Sequence, residues 1–156
     1  MRTMRFVASL LMGLALLTGT AAVSQAAPAG EERLPTCRSF STFTYNVYGA
    51  KLQVTLPTTA YMNKNTECEL RLNDEYDGVF VLQGAISDCF TKIKTDRIYG
   101  PVTESVVRLI QGQNGIATDG IYGPDTRDVM KWQWFVDGKP VRGCMYFPPP
   151  LALGSS

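Results

Sequence analysis

Between Phe43 and Leu56, in "FTYNVYGAKLQVTL", apolar or aromatic residues alternate with polar ones. Phe43, Tyr45 and Val47 form one run, Leu52, Val54 and Leu56 a second, and Gly49 and Ala50 lie between them. Period-two alternation on both sides of a glycine-containing gap predicts a β-hairpin. Pro57 closes the second run, since it has no amide hydrogen for a ladder. A lone hairpin is marginal in water, so this arm has to lean on the rest of the chain. Further along, "GVFVLQGAISDCF" places Val79, Leu82 and Ile86 at helical spacing and predicts a helix. Phe80, Val81 and Ala85 widen its apolar face, as packing on more than one side requires.

Two further helices are announced by a repeat. "TDRIYGPVTESV" starts at Thr95 and "TDGIYGPDTRDV" at Thr118. Gly100-Pro101 and Gly123-Pro124 combine a sharp turn with proline at the first helical position, where its missing N–H is not needed. The first helix is expected over "PVTESVVRLIQGQ", with Val102, Val106 and Leu109 on one stripe and Val107 and Ile110 beside it, ending at Asn114-Gly115. The second is expected over "PDTRDVMKWQWF", with Val129, Met130, Trp132 and Trp134 available for the core and Asp125 near the positive end of the dipole. At helical spacing Trp132 and Trp134 cannot face the same way, so one is expected in the core and the other partly exposed. From Asp137 onward the text reads as a tail, and "FPPPLALGSS" as loose extended chain.

Residues 1–26 read as a secretory signal peptide: Arg2 and Arg5, the apolar run "FVASLLMGLALL", then "VSQA" with small residues for cleavage after Ala26. The run is too short to span a bilayer, and no membrane association is expected once it is removed. Without Arg2 and Arg5 the 15 basic residues fall to 13, against 14 acidic ones. The bases are scattered among carboxylates, which argues against nucleic acid as a partner. Cys37, Cys68, Cys89 and Cys144 in an exported chain read as two disulfides, and the absence of histidine argues against a zinc site. Four cysteines allow three connectivities. Cys68 with Cys89 and Cys37 with Cys144 is the preferred one.

Val79-x-x-Leu82-Gln83-x-x-Ile86, Asp96-Arg97-Ile98-Tyr99-Gly100-Pro101-x-Thr103, Val106-Val107-x-x-Ile110-Gln111-x-x-x-Gly115-Ile116 and Asp119-Gly120-Ile121-Tyr122-Gly123-Pro124-x-Thr126 succeed one another along the chain. In this order they resemble the peptidoglycan-binding domain of secreted bacterial wall hydrolases, a small three-helix bundle. The resemblance covers about Tyr76 to Trp134. Three positions depart from it: Arg97 stands where the first turn usually has glycine, Tyr76 where glycine usually precedes the first helix, and Ile110 where an aromatic is usual. The Arg97 change costs local strain if its backbone needs positive φ.

The expected fold class is mainly α: a small three-helix peptidoglycan-binding-like bundle preceded by a short β-hairpin-like, disulfide-tied N-terminal arm. Its expected divisions are the signal peptide (1–26), the arm (27–75), the helical domain (76–135) and a C-terminal segment with a loose tail (136–156). The resemblance implies non-catalytic binding to cell-wall peptidoglycan, without a cofactor, by a secreted or wall-associated protein. A protein-interaction or inhibitor role for the same bundle is the alternative. Candidate ligand contacts are Tyr99 and Tyr122, Asp96 and Asp119, Gln83 and Gln111, and Arg127. Each has a structural counterpart: the tyrosines as plugs at the base of their turns, the aspartates as acceptors for turn N–H groups, the glutamines as partners of turn backbone, and Arg127 on a solvated helix face. A glycosidase would need two carboxylates held apart in a cleft. Glu75 with Asp77, or Asp96 with Asp119, lie instead in turn signals, and no catalytic residue is assigned.

Overall fold

The computed structural model describes residues 33–149. The expected signal peptide lies outside the described residues, as does the end of the tail, 150–156. The arm forms the expected hairpin: β1 (Ser39–Val47) pairs antiparallel with β2 (Ala50–Thr58), with Val47 opposite Ala50 and Ser39 opposite Thr58. Tyr48 and Gly49 make the connection with φ of 48° and 81°. Positive φ at both residues matches the twist of a two-residue hairpin turn.

Three helices come next: α1 (Asp77–Cys89), α2 (Pro101–Gln113) and α3 (Pro124–Val129). Val79, Leu82, Ala85 and Ile86 of α1 are buried, as expected, and α1 packs on the inner face of the hairpin, where Val54 and Leu56 are buried. Phe80 does not join them. It is 46% exposed, with the Arg97 guanidinium 5.7 Å from its ring centre. In α2 the buried positions are Thr103, Val107, Ile110 and Gln111. Val102 and Leu109, expected on the apolar stripe, are 63% and 55% exposed.

The last helix is shorter than its sequence suggested. It ends at Val129, and Met130 turns to extended backbone (φ −89°, ψ 158°). β3 (Lys131–Val136) and β4 (Lys139–Tyr146) then form a second antiparallel hairpin. On a strand, residues two apart share a face, so Trp132 and Trp134 are both fully buried, contrary to the helical reading. Their indole N–H groups donate to the carbonyls of Arg127 and Met145. Each such ring removes ~150–250 Å² from water, about 4–6 kcal/mol of transfer at ~25 cal/mol per Å². Asp137-Gly138, read as the start of a tail, is the turn of this hairpin, with φ of 49° and 74°.

The sheet order is β1-β2-β3-β4. β2 meets β3 only at Leu52 opposite Val136 and Gln53 opposite Phe135, so two hairpins join at one seam. The four strands hold as many residues as the three helices, which corrects "mainly α" to a mixed α and β fold around a three-helix core.

The disulfides also differ from the preferred pairing: Cys37 bonds Cys68, and Cys89 bonds Cys144. Helix length is the reason. The Cys37 N–H donates to the Glu69 carbonyl, which sets Cys37 beside Cys68, and Gly78 in the first turn of α1 lies against the Cys37 carbonyl. A β-carbon at Gly78 would sit 2.1 Å from that oxygen, so the close approach requires glycine. Cys89 ends the same helix, about 17 Å away at ~1.5 Å per residue. A disulfide spans less than ~7 Å between α-carbons. Closing loops of 31 and 55 residues stabilises by about 4 kcal/mol each on the chain-entropy view.

Candidate functional site: the twin turns

The two copies of the repeat fold into one device, built around a buried glutamine. Gln83 on α1 is 1% exposed. Its amide nitrogen donates to Asp96 Oδ1 (3.0 Å), the Ile98 carbonyl (2.9 Å) and Thr103 Oγ1 (3.2 Å). Its oxygen accepts from the backbone N–H groups of Asp96 and Arg97, both at 3.0 Å. Gln111 on α2 repeats the pattern at 2% exposure, donating to Asp119 Oδ1 (2.8 Å), the Ile121 carbonyl (2.9 Å) and Thr126 Oγ1 (3.0 Å), and accepting from the Gly120 N–H (2.9 Å). Each aspartate also accepts the N–H two residues on, Ile98 for Asp96 and Ile121 for Asp119. Hydrogen bonds from Gln83 and then from the Ile98 N–H hold the Asp96 carboxyl below its usual range.

The letters of the repeat thus acquire separate jobs. Aspartate closes a local turn, threonine receives the glutamine amide one helical turn into the next helix, and proline starts that helix. Thr103 and Thr126 carried no assigned role in the sequence, although their identical place in both copies was a visible signal. Tyr99 is fully buried and donates its hydroxyl to the Gly120 carbonyl at 2.8 Å, which links the first turn to the second. Tyr122 is 1% exposed, packs edge-on against Trp132 at 6.2 Å, and its hydroxyl has no partner among the described residues. Burial pushes both phenols above their ordinary range.

A strap that the sequence did not reveal clamps both turns. Leu70 exchanges two backbone hydrogen bonds with Tyr122, at 2.8 and 3.0 Å. The Asn73 N–H donates to the Tyr99 carbonyl, and the Tyr99 N–H donates to the Asp74 carbonyl. Glu69 anchors the strap with its carboxylate between Arg71 and Arg33, 2.6 Å from each Nε. Burial acts to raise the Glu69 pKa, but the hydrogen bonds from the two arginines outweigh it and hold the carboxyl below its ordinary value.

Arg127 lies at 8% exposure rather than on a solvated face. Its Nη1 donates to the Thr66 carbonyl and hydroxyl and pairs with Glu67 at 3.1 Å, while Nε pairs with Asp128 at 2.7 Å and the ring of Phe147 lies 5.7 Å off. It pins α3 to the loop before the strap.

The two turns differ at one position. Gly120 has φ +71°, and a β-carbon there would come within 2.8 Å of the Glu104 and Arg108 side chains that cover it. Its counterpart Arg97 has φ 70° and carries the strain that the sequence raised as a condition. Arg97 is exposed, pairs with Asp77 at 3.2 Å and covers Phe80. Ile98 beside it is 46% exposed. The domain therefore presents outward Phe80, Ile98 and the Arg97–Asp77 ion pair, on a turn held from beneath by Gln83.

Of the carboxylates weighed as catalytic pairs, Asp96 and Asp119 are tied into separate turns, and Asp77 is paired with Arg97. Among the described residues there is no group of three or more metal-ligating side chains. No helix among them is long and apolar enough to cross a membrane. No curated protein and no solved structure matches the chain. Residues 75–130, which hold all three helices and both turns, match the family model described as "Putative peptidoglycan binding domain", and this segment is a peptidoglycan-binding domain of that family.

Proposed function

We propose that the protein is a secreted, non-catalytic binder of bacterial wall peptidoglycan. The observation that carries this reading is the family match over residues 75–130, together with the formation of both Gln–Asp turns within it. Domains of this family are typically extracellular or wall-associated and act by holding the polymer. The apolar leader of residues 1–26 supports export, and two disulfides suit an oxidising compartment.

Gln83, Gln111, Asp96, Asp119, Tyr99 and Tyr122 serve that binding by shaping the surface, because their polar atoms are engaged inside the turns or their rings are buried. Direct contact falls to what they hold outward: Phe80, Arg97 and Ile98. An aromatic ring and an aliphatic side chain suit the apolar face of a sugar, and a guanidinium suits a stem-peptide carboxylate.

Incubating the oxidised protein, with its leader removed, with purified labelled peptidoglycan tests both halves of the reading. Saturable pelleting with the wall and no release of soluble label is the expected result. Steady release of label would replace the binding role with catalysis, and a protein that stays in solution would turn attention to a protein partner.

A further inference from the structure

A groove lies outside the family domain, on the arm. A cavity of about 160 Å³ opens between β1 and the loop 59–66, lined by Phe40, Ser41, Thr42, Tyr61, Met62 and Lys64. Tyr61 and Met62 are 66% and 72% exposed, a cost in water that the loop maintains. Its own polar groups fix it: Asn63 donates to the Thr59 hydroxyl, Asn65 N–H to the Asn63 side-chain oxygen, Glu67 N–H to that of Asn65, and Thr59 N–H to the Asn65 carbonyl. Met62 and Lys64 both hold left-handed backbone, φ 60° and 54°, which non-glycine residues adopt at a cost and which gathers at binding sites. The Phe40 and Tyr61 rings meet edge-on at 5.7 Å, and the Lys64 ammonium sits 5.8 Å from the Phe43 ring centre.

The lining specifies an occupant. Its walls combine the Phe40 and Tyr61 rings and the Met62 side chain with Ser41 and Thr42, and among the described residues that line it Lys64 is the one charged group. Its floor is the edge strand of the sheet, and the only backbone partner of β1 among the described residues is β2. An occupant needs a ring with an apolar face, amide groups to pair with edge peptides, and an acid for the ammonium. We infer that this groove takes an N-acetylated sugar ring carrying a carboxylate-bearing peptide, so that the arm grips the wall polymer at a second point. The inference rests on the wall-binding reading above. Two weak contacts on one polymer multiply into one firmer attachment.

The test is a backbone-amide NMR titration of the oxidised protein, leader removed, with a soluble disaccharide-peptide wall fragment, run beside a neutral acetylated chito-oligosaccharide and the stem peptide alone. Expected are shifts at residues 40–42 and 61–64, with about five- to tenfold weaker fragment binding in Tyr61→Ala and in Lys64→Gln. Lys64→Gln should also lose the preference for the acidic fragment over the neutral sugar. Both side chains are exposed, so unchanged dispersion elsewhere shows that the variants remain folded. Shifts confined to residues 75–130 overturn the groove and leave the wall-binding reading intact. Silence throughout, with no pelleting on whole wall, removes both. Shifts along the whole of β1 with the sugar-free peptide alone would overturn the sugar assignment in favour of strand pairing.

Discussion

Segments 95–106 and 118–129 share most of their letters, yet the first opens a helix of 13 residues and the second a helix of 6 that breaks into a strand. The glutamine, the aspartate and the threonine reproduce the same turn in both places, with bond lengths that agree within a few tenths of an ångström. Helix length is decided elsewhere. After Thr103 come Val107, Ile110 and Gln111 at helical spacing, whereas after Thr126 the text becomes "MKWQWFV", in which bulky residues alternate. Alternating aromatic and β-branched residues fit a half-buried pleated surface better than a helix. The repeat therefore encodes a junction, and its surroundings decide what the junction opens.

The sharpest way to break the device is to remove its glutamine. Gln83→Ala and Gln111→Ala each strand an aspartate, a carbonyl and turn N–H groups in or near the core, two such N–H groups for Gln83 and one for Gln111. Each should cost about 3–4 kcal/mol in chemical unfolding. A loss below about 1 kcal/mol in either would show that water replaces the amide and that the turns do not depend on it.

The tyrosines should separate next. Tyr99→Phe removes the donor to the Gly120 carbonyl and should destabilise by about 1–2 kcal/mol. Tyr122→Phe removes a buried hydroxyl that has no partner among the described residues and should be neutral or stabilising by up to about 1 kcal/mol. Equal losses would erase this asymmetry.

The position that distinguishes the turns supplies a smaller pair of effects of opposite sign. Arg97→Gly should stabilise by about 1 kcal/mol, since glycine accepts φ 70° without strain. Its exposed contacts with Asp77 and Phe80 offset little of this. Gly120→Ala, with strain and crowding together, should destabilise by about 1–2 kcal/mol.

The strap gives the smallest effect. Because the Glu69 pKa is lowered in the folded protein, its ion pairs stabilise above the ordinary carboxylate value of 4.5 and fade as pH falls through the folded value. Stability should drop on the order of 1 kcal/mol more steeply in acid for the native chain than for Glu69→Gln, read from thermal unfolding between pH 6 and 2.

Much of the fold is legible in the sequence, and the remainder is hidden for physical causes. The first hairpin, α1 and both turns are visible because each carries local punctuation: alternation around Gly49, a 3.6-residue stripe, and Gly-Pro starts. Trp132 and Trp134 are misplaced by a helix start signal that extends into a segment whose period has changed to two, although Asp137-Gly138 beyond it is a strong hairpin signal. The disulfides are mispaired because proximity along the chain says nothing about which end of a rigid helix a cysteine occupies. The strap holds both turns through backbone links from Leu70, Asn73 and Asp74, which no side chain announces, although its own Glu69–Arg71 pair is a readable charge pattern. In the candidate site, residue identities are readable but burial is not, so buried supports and exposed contacts look alike.

Wall binding by two folded variants separates those supports from those contacts. Co-sedimentation with purified peptidoglycan should be weakened about tenfold or more in Phe80→Ala/Ile98→Ser, where exposed groups are lost, and kept within about twofold in Tyr99→Phe, where a buried hydroxyl is lost. The reverse order, with Tyr99→Phe failing to bind while the surface variant pellets normally, would contradict it and place the ligand against the turn residues themselves.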